Sequence, residues 1–154
     1  MSIKMIRIDD RLIHGQVVAA WSKVLGIERI LVIDDDTAKD IFLSDVMKMV
    51  APSNVELAII TEDKIADVVT KYDQDNVNTF ILAKYPYVMK KVFESEISFK
   101  ELDLGGMCAR PNRTKLYKQI SASPEEVETL REIKNMGVKV YFRVTPDDKE
   151  IIFE

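Results

Sequence analysis

One histidine, one cysteine, five glycines and five prolines are all that these residue types supply to the 154 residues of this chain. A lone cysteine, Cys108, cannot form an internal disulfide, so a reducing cytosol suits the protein. One thiol with no histidine beside it in sequence is also poor material for a metal centre, and no metal is expected. The few glycines form no G-x-G-x-x-G or Walker pattern, which removes the usual phosphate loops of nucleotide-binding folds. Charged residues interrupt every hydrophobic stretch well before the roughly 20 residues needed to span a bilayer. The start, Met1-Ser2-Ile3-Lys4-Met5-Ile6-Arg7, has no apolar signal-peptide core. A soluble protein is expected, with any membrane contact made through a partner. Twenty-two basic against 26 acidic side chains give a net charge of −4 with no basic cluster, so a nucleic-acid-binding face is not expected.

What is present is a core: 47% of the residues are hydrophobic, enough for one domain over residues 1–154. Short β-branched runs at residues 3–8, 30–33, 55–60 and 79–83 read as strands buried on both faces. Amphipathic segments follow each of them. Val17, Val18, Trp21, Val24 and Leu25 form one apolar stripe of a helix that Gly26 stops. Ile41, Phe42, Val46, Met49 and Val50 repeat the pattern before Pro52, and Ile65, Val68, Val69 and Tyr72 repeat it again. Residues 86–93 read as a further helix, 102–104 as a short strand and 105–115 as a loop. Ser123-Pro124-Glu125-Glu126 is a capping box opening a helix whose Val127, Leu130, Ile133 and Met136 face inward. Residues 138–144 form a strand, and Pro146-Asp147-Asp148 turns the chain into residues 150–153. The alternation predicts an α/β, doubly wound, mostly parallel sheet with helices on both faces and an antiparallel edge strand near the C-terminus.

In such a sheet the functional crevice lies beyond the C-terminal ends of the strands. The first strand ends at Asp9-Asp10-Arg11-Leu12-Ile13-His14, the second at Asp34-Asp35-Asp36, the third at Thr61 and the fourth at Lys84. The triple aspartate reads as a strand end followed by a helix capped through Asp36 or Thr37. A neutral imidazole is a good phosphoryl acceptor near its ordinary pKa of about 6.5, so His14 is the candidate nucleophile. Arg11 offers a fork of N–H donors to phosphate oxygens, and the N–H groups of Gly15, Gln16 and Val17 at the helix start favour the same charge. Asp9 or Asp10 can hold the imidazole tautomer by accepting one ring N–H, and the sequence leaves open which. Arg7 and Thr61 complete the candidate phosphate-binding set with Gly15 and Gln16. Arg7 has a plainer reading as a strand-end ion-pair partner, and Thr61 as an N-cap before Glu62-Asp63.

The segment Arg7-Ile8-Asp9-Asp10-Arg11-Leu12-Ile13-His14-Gly15-Gln16-Val17 resembles the phosphorylation-site signature of the IIB component of the mannose/fructose/sorbose class of the bacterial sugar phosphotransferase system. Trp21, Asp34 with the helix to Pro52, Leu104-Gly105-Gly106-Met107, and Gly137-Val138-Lys139-Val140 before Pro146 extend the likeness, while residues 108–115 depart from it. The resemblance implies a protein-N(π)-phosphohistidine–sugar phosphotransferase. His14 would take a phosphoryl group from a phosphohistidine on a IIA protein or domain and deliver it to a sugar bound by membrane IIC and IID components, with Arg11 assisting. It implies a cytoplasmic protein held at the membrane through IIC/IID, with no cofactor, and leaves a homodimer open. Two other classes compete. A phospho-signalling receiver would share the acidic pair Asp9-Asp10 but needs an aspartate where the third strand ends in Ile59-Ile60-Thr61. A flavodoxin-like binding module would need the glycine-rich loop that is missing.

Overall fold

In the computed structural model, which describes residues 2–154, nine strands and six α-helices alternate along the chain. The strands are β1 (Ile3–Asp9), β2 (Arg29–Ile33), β3 (Glu56–Ile60), β4 (Thr79–Ala83), β5 (Glu101–Gly106), β6 (Thr114–Tyr117), β7 (Ile120–Ala122), β8 (Lys139–Phe142) and β9 (Ile151–Ile152). The helices are α1 (Gly15–Leu25), α2 (Asp35–Lys39), α3 (Ile41–Val50), α4 (Ile65–Gln74), α5 (Pro86–Glu94) and α6 (Pro124–Asn135).

Seven strands make one sheet in the order β3-β2-β4-β1-β5-β8-β9. All neighbours are parallel except β8 and β9, which pair antiparallel through Tyr141–Ile152 and Phe142–Ile151. The sheet is therefore doubly wound, with the expected antiparallel edge near the C-terminus. One apolar cluster packs α4, α5 and α6 against Ile6, Ile8, Ile81 and Leu104. The other packs α1 against Met5, Ile30, Val32 and Phe80 on the opposite face. Fully buried Ile, Leu and Phe side chains of this kind contribute about 1.5–3 kcal/mol each. Strand β1 runs between β4 and β5, so its C-terminal end opens in the middle of the sheet's functional edge.

Several sequence expectations need correction. Strand β3 is an edge strand and is only half-buried, because nothing pairs with its outer side. The apolar residues of α3 do not face the sheet: Ile41 is 81%, Phe42 73% and Met49 82% exposed. Met47, from the opposite side of that helix, and Ala51 beyond its end pack against the α1 cluster, and the helical period turns Phe42 and Met49 away. Val24 and Met136, read as inward, are exposed. The stretch read as a loop over residues 105–115 instead completes β5 and then begins the antiparallel β6–β7 hairpin. The capping box expected at Ser123 and Glu126 is formed, each side chain accepting from the other's backbone N–H, whereas α2 is capped by Asp34, accepting from Thr37 N–H, rather than by Asp36 or Thr37, and α3 is capped by Asp40, accepting from Leu43 N–H. No helix among the described residues is long and apolar enough to cross a membrane.

Candidate active site

Beyond Asp9 the chain leaves β1 in a tight turn in which Leu12 N–H donates to Asp9 C=O at 2.9 Å and Leu12 takes a left-handed φ of 56°. Leu12 and Ile13 are buried and fasten this loop to the core, and their anchoring turns the polar neighbours outward. The Arg11 side chain is 52% exposed and the His14 ring 21%. His14 is extended and Gly15 has φ 45°, a left-handed value that a side chain would strain, so glycine serves the entry into α1. Helix α1 starts with no side-chain cap, unlike α2, α3 and α6, and with no acidic residue in its first turn, unlike α2 and α6. Its first N–H groups, with Gly15 and Gln16 exposed, are left for an anion.

Behind His14 lies Asp9, a wholly buried carboxylate that organises the site. One oxygen accepts from the Arg11 backbone N–H at 3.1 Å and from Arg11 Nε at 3.4 Å. The other accepts from Arg7 Nη2 at 3.3 Å and stands 3.8 Å from His14 Nε2. That ring nitrogen is buried without a hydrogen-bond partner, and Nδ1 lies 3.2 Å from the Leu12 carbonyl oxygen. Of the two aspartates the sequence left open, Asp9 is the one that faces the ring, at 3.8 Å and without a hydrogen bond to it. Asp10 turns the other way, accepting from Cys108 N–H at 2.8 Å and facing Arg113 at 3.5 Å. Burial raises the Asp10 carboxyl, but the Cys108 hydrogen bonds and the Arg113 and Arg110 charges outweigh it and hold it below the ordinary range.

Two members of the candidate phosphate-binding set are elsewhere. Arg7 is wholly buried, donating to Asp103 at 2.6 Å and to the Arg143 carbonyl at 2.9 Å, so it supports Asp9 from below and cannot meet a phosphate. Thr61 ends the edge strand β3, three strands from β1 and so roughly 14 Å away. Its hydroxyl bonds to Asp63.

Sequence reasoning missed Asp103, Arg113 and the second use of Glu126. Asp103 is the one charged residue inside the Leu102 to Leu104 run, an anomaly that marks a buried partner. Burial pushes its carboxyl up to about 7 against the pull of Arg7. Arg113 joins the loop after β5 to α6, its Nη2 and Nε donating to Glu126 at 2.8 and 2.9 Å. A pocket of about 900 Å³ opens beside the histidine loop, lined among others by Asp10, Arg11, Arg110, Arg113, Lys115 and Lys118. Among the described residues no three His, Cys, Asp or Glu side chains converge to hold a metal ion.

The family described as PTS system sorbose subfamily IIB component matches residues 3–154. The chain is 31% identical over 151 residues to the PTS system sorbose-specific EIIB component of Klebsiella pneumoniae, covering 98% of this chain and 92% of that protein. It is 26% identical over 151 residues to the mannose-specific EIIAB component of Escherichia coli strain K12, covering 98% of this chain and 47% of that longer protein. The crystal structure of the IIBSor domain of the Klebsiella pneumoniae sorbose permease superposes with a TM-score of 0.90 at 31% identity, covering 99% of this chain and 93% of that one.

Proposed function

The chain belongs to the sorbose-subfamily IIB components of the bacterial sugar phosphotransferase system, and from that membership we propose that His14 is its phosphoryl carrier. The observation that carries this reading is the half-open His14 ring at the uncapped start of α1, with the Asp9 carboxylate behind it and the Arg11 guanidinium beside it.

A donor cannot reach Nε2, which is buried toward Asp9, so Nδ1 is the attacking atom. As the ring stands, Nδ1 donates to the Leu12 carbonyl, so attack requires the ring to turn off that carbonyl and the proton to reside on Nε2, the tautomer that the Asp9 carboxylate favours. Nδ1 forms its bond to phosphorus as the N–P bond of the donor phosphohistidine breaks. In the second transfer a sugar hydroxyl oxygen bonds to phosphorus as the Nδ1–P bond breaks, and the hydroxyl proton passes to the freed imidazole. The transferring group spreads charge over three oxygens, and Arg11 with the N–H groups of Gly15, Gln16 and Val17 neutralises it.

The donor in this reading is a IIA phosphohistidine, supported by the mannose-specific relative, whose name joins A and B components in one protein. The acceptor sugar sits in IIC and IID membrane components, and the chain works at their cytoplasmic side. When a charged IIA donor is supplied, an acid-labile, base-stable phosphate appears on the native chain and none on His14→Ala. Labelling of His14→Ala at the native level would remove His14 from the role.

A further inference from the structure

The pocket beside the histidine loop has a charge balance that phosphoryl carriage by His14 does not use. Five cationic side chains line it, Arg11, Arg110, Arg113, Lys115 and Lys118, against one carboxylate, Asp10. Arg113 is consumed by Asp10 and Glu126. Among the described residues no carboxylate comes within 4.0 Å of Arg110, Lys115 or Lys118; Asp10 and Asp148 feel the charges of Arg110 and Lys118 only from beyond ion-pair distance, so the hollow keeps an excess of positive charge. The volume of about 900 Å³ falls in the range of small-molecule sites, roughly 300–1,000 Å³. A flat face for an acidic protein surface would not need such a hollow.

Lys118 adds a second, independent sign. It occupies the tip of the β6–β7 hairpin with a left-handed φ of 44°, a conformation in which a lysine is strained and glycine is not. Strain of this kind persists where the surrounding structure holds the residue in place, and here the hairpin sets Lys118 at the pocket. Gln119 and Ser121, which follow Lys118 along the hairpin, add neutral hydrogen-bonding groups to the same wall.

We propose that this pocket binds a phosphorylated monosaccharide, its phosphomonoester held by Lys118, Lys115 and Arg110 and its hydroxyls by Gln119 and Ser121. The inference rests on the phosphotransferase reading, because a sugar phosphate is the product of that reaction. Arg11 borders both the pocket and the His14 ring, so a sugar phosphate in the pocket opposes the arrival of a new phosphoryl group on His14 by charge repulsion. Accumulated product then slows recharging of the protein.

The test is a titration of the full chain with a hexose 6-phosphate, the free hexose and inorganic phosphate, followed by amide shifts of residues 106–121. Saturable binding of the hexose phosphate is expected, with the free hexose inert and inorganic phosphate weaker. His14→Ala binds as the native chain does, which separates this result from the identity of the phosphoryl carrier. Lys118→Gly relieves the turn, keeps the fold and labelling by a charged donor, and loses about tenfold or more in affinity, the size of one charge-assisted contact. Hexose phosphate also slows labelling of the native chain but not of Lys118→Gly. Equal affinity for inorganic phosphate, absence of binding, or slower labelling of Lys118→Gly with no sugar phosphate present would each overturn the proposal, the last by making the pocket a docking surface for an acidic donor.

Discussion

The guanidinium of Arg7 lies over the Cα of Gly105, on the spot where a Cβ at position 105 would stand. These two residues, on adjacent strands β1 and β5, divide one volume between them, and the buried charge under the histidine loop exists only because residue 105 has no side chain. Arginine ends are ordinarily free to move aside. This one is fixed by Asp103, Asp9 and the Arg143 carbonyl in a place without solvent.

Gly105→Ala therefore displaces a buried ion-pair partner. Breaking such a pair costs about 3–5 kcal/mol, and for a chain of this size the melting temperature falls by roughly 10 °C, at about 2–4 °C per kcal/mol. Thermal unfolding checks it. The cost is specific to the guanidinium: in an Arg7→Ala background the same glycine change loses most of its effect, since neighbouring substitutions that share a partner are non-additive. Equal losses in both backgrounds would contradict the shared-volume account.

The acidic groups around Arg113 set a pH dependence. For Glu126, burial raises the carboxyl, and the Arg113 and Ser123 hydrogen bonds with the Arg113 charge outweigh it, so that it is held low as Asp10 is. Groups with depressed folded values add stability that is complete above their unfolded values and is lost as pH falls through the folded ones. Residues 108–126 are thus expected to lose amide protection below about pH 4. Glu126→Gln weakens protection of this segment at pH 7 and flattens its acid dependence. An unchanged acid profile in that variant would show that the Arg113 pair does not fasten the loop.

How far the sequence reached is decided by where the information sits. Strand and helix order follow from local periodicity, and the His14 loop was legible because its residues are consecutive. The α1 stripe of Val18 and Trp21 faces the sheet as its period requires, while the equally regular stripe of α3 faces solvent. Periodicity says that a helix has an apolar side but not which side the rest of the chain covers. The division of labour between Asp9 and Asp10 is likewise invisible in one dimension. Their opposite directions are set by Arg7 and by the Cys108 backbone, the latter 98 residues away in sequence. Thr61 failed as a site residue because strand order, not strand number, fixes distance from β1.

The exposed side of α3 gives a stability prediction with the opposite sign to intuition about large apolar residues. Phe42→Ser and Met49→Ser remove side chains that are 73% and 82% exposed, and surface changes of this kind stay within about 0.5 kcal/mol. Leu104→Ala, from the fully buried β5 position, is expected to cost about 2–5 kcal/mol. Denaturant unfolding of the three variants orders them directly.

The last prediction separates the two aspartates. Asp9 faces the ring nitrogen that, in the proposed transfer, keeps its proton while Nδ1 attacks, whereas Asp10 holds Cys108 and Arg113. Asp9→Asn keeps the shape but offers the Arg11 and Arg7 donors a neutral amide and no longer stabilises positive charge on the ring. Transfer to His14 is then expected to slow by about 10²–10⁴, the range found when an acid–base or orienting carboxylate is lost. Asp10→Asn leaves the ring's surroundings intact and changes the rate by a few-fold at most, while weakening the 108–113 loop. Rapid-quench labelling from a charged donor measures both rates, with circular dichroism to show that each variant is folded. A reversed order, Asp10→Asn slow and Asp9→Asn near native, would mean that the ring works in a rotamer turned toward Asp10 and that Asp9 serves only the Arg7 network.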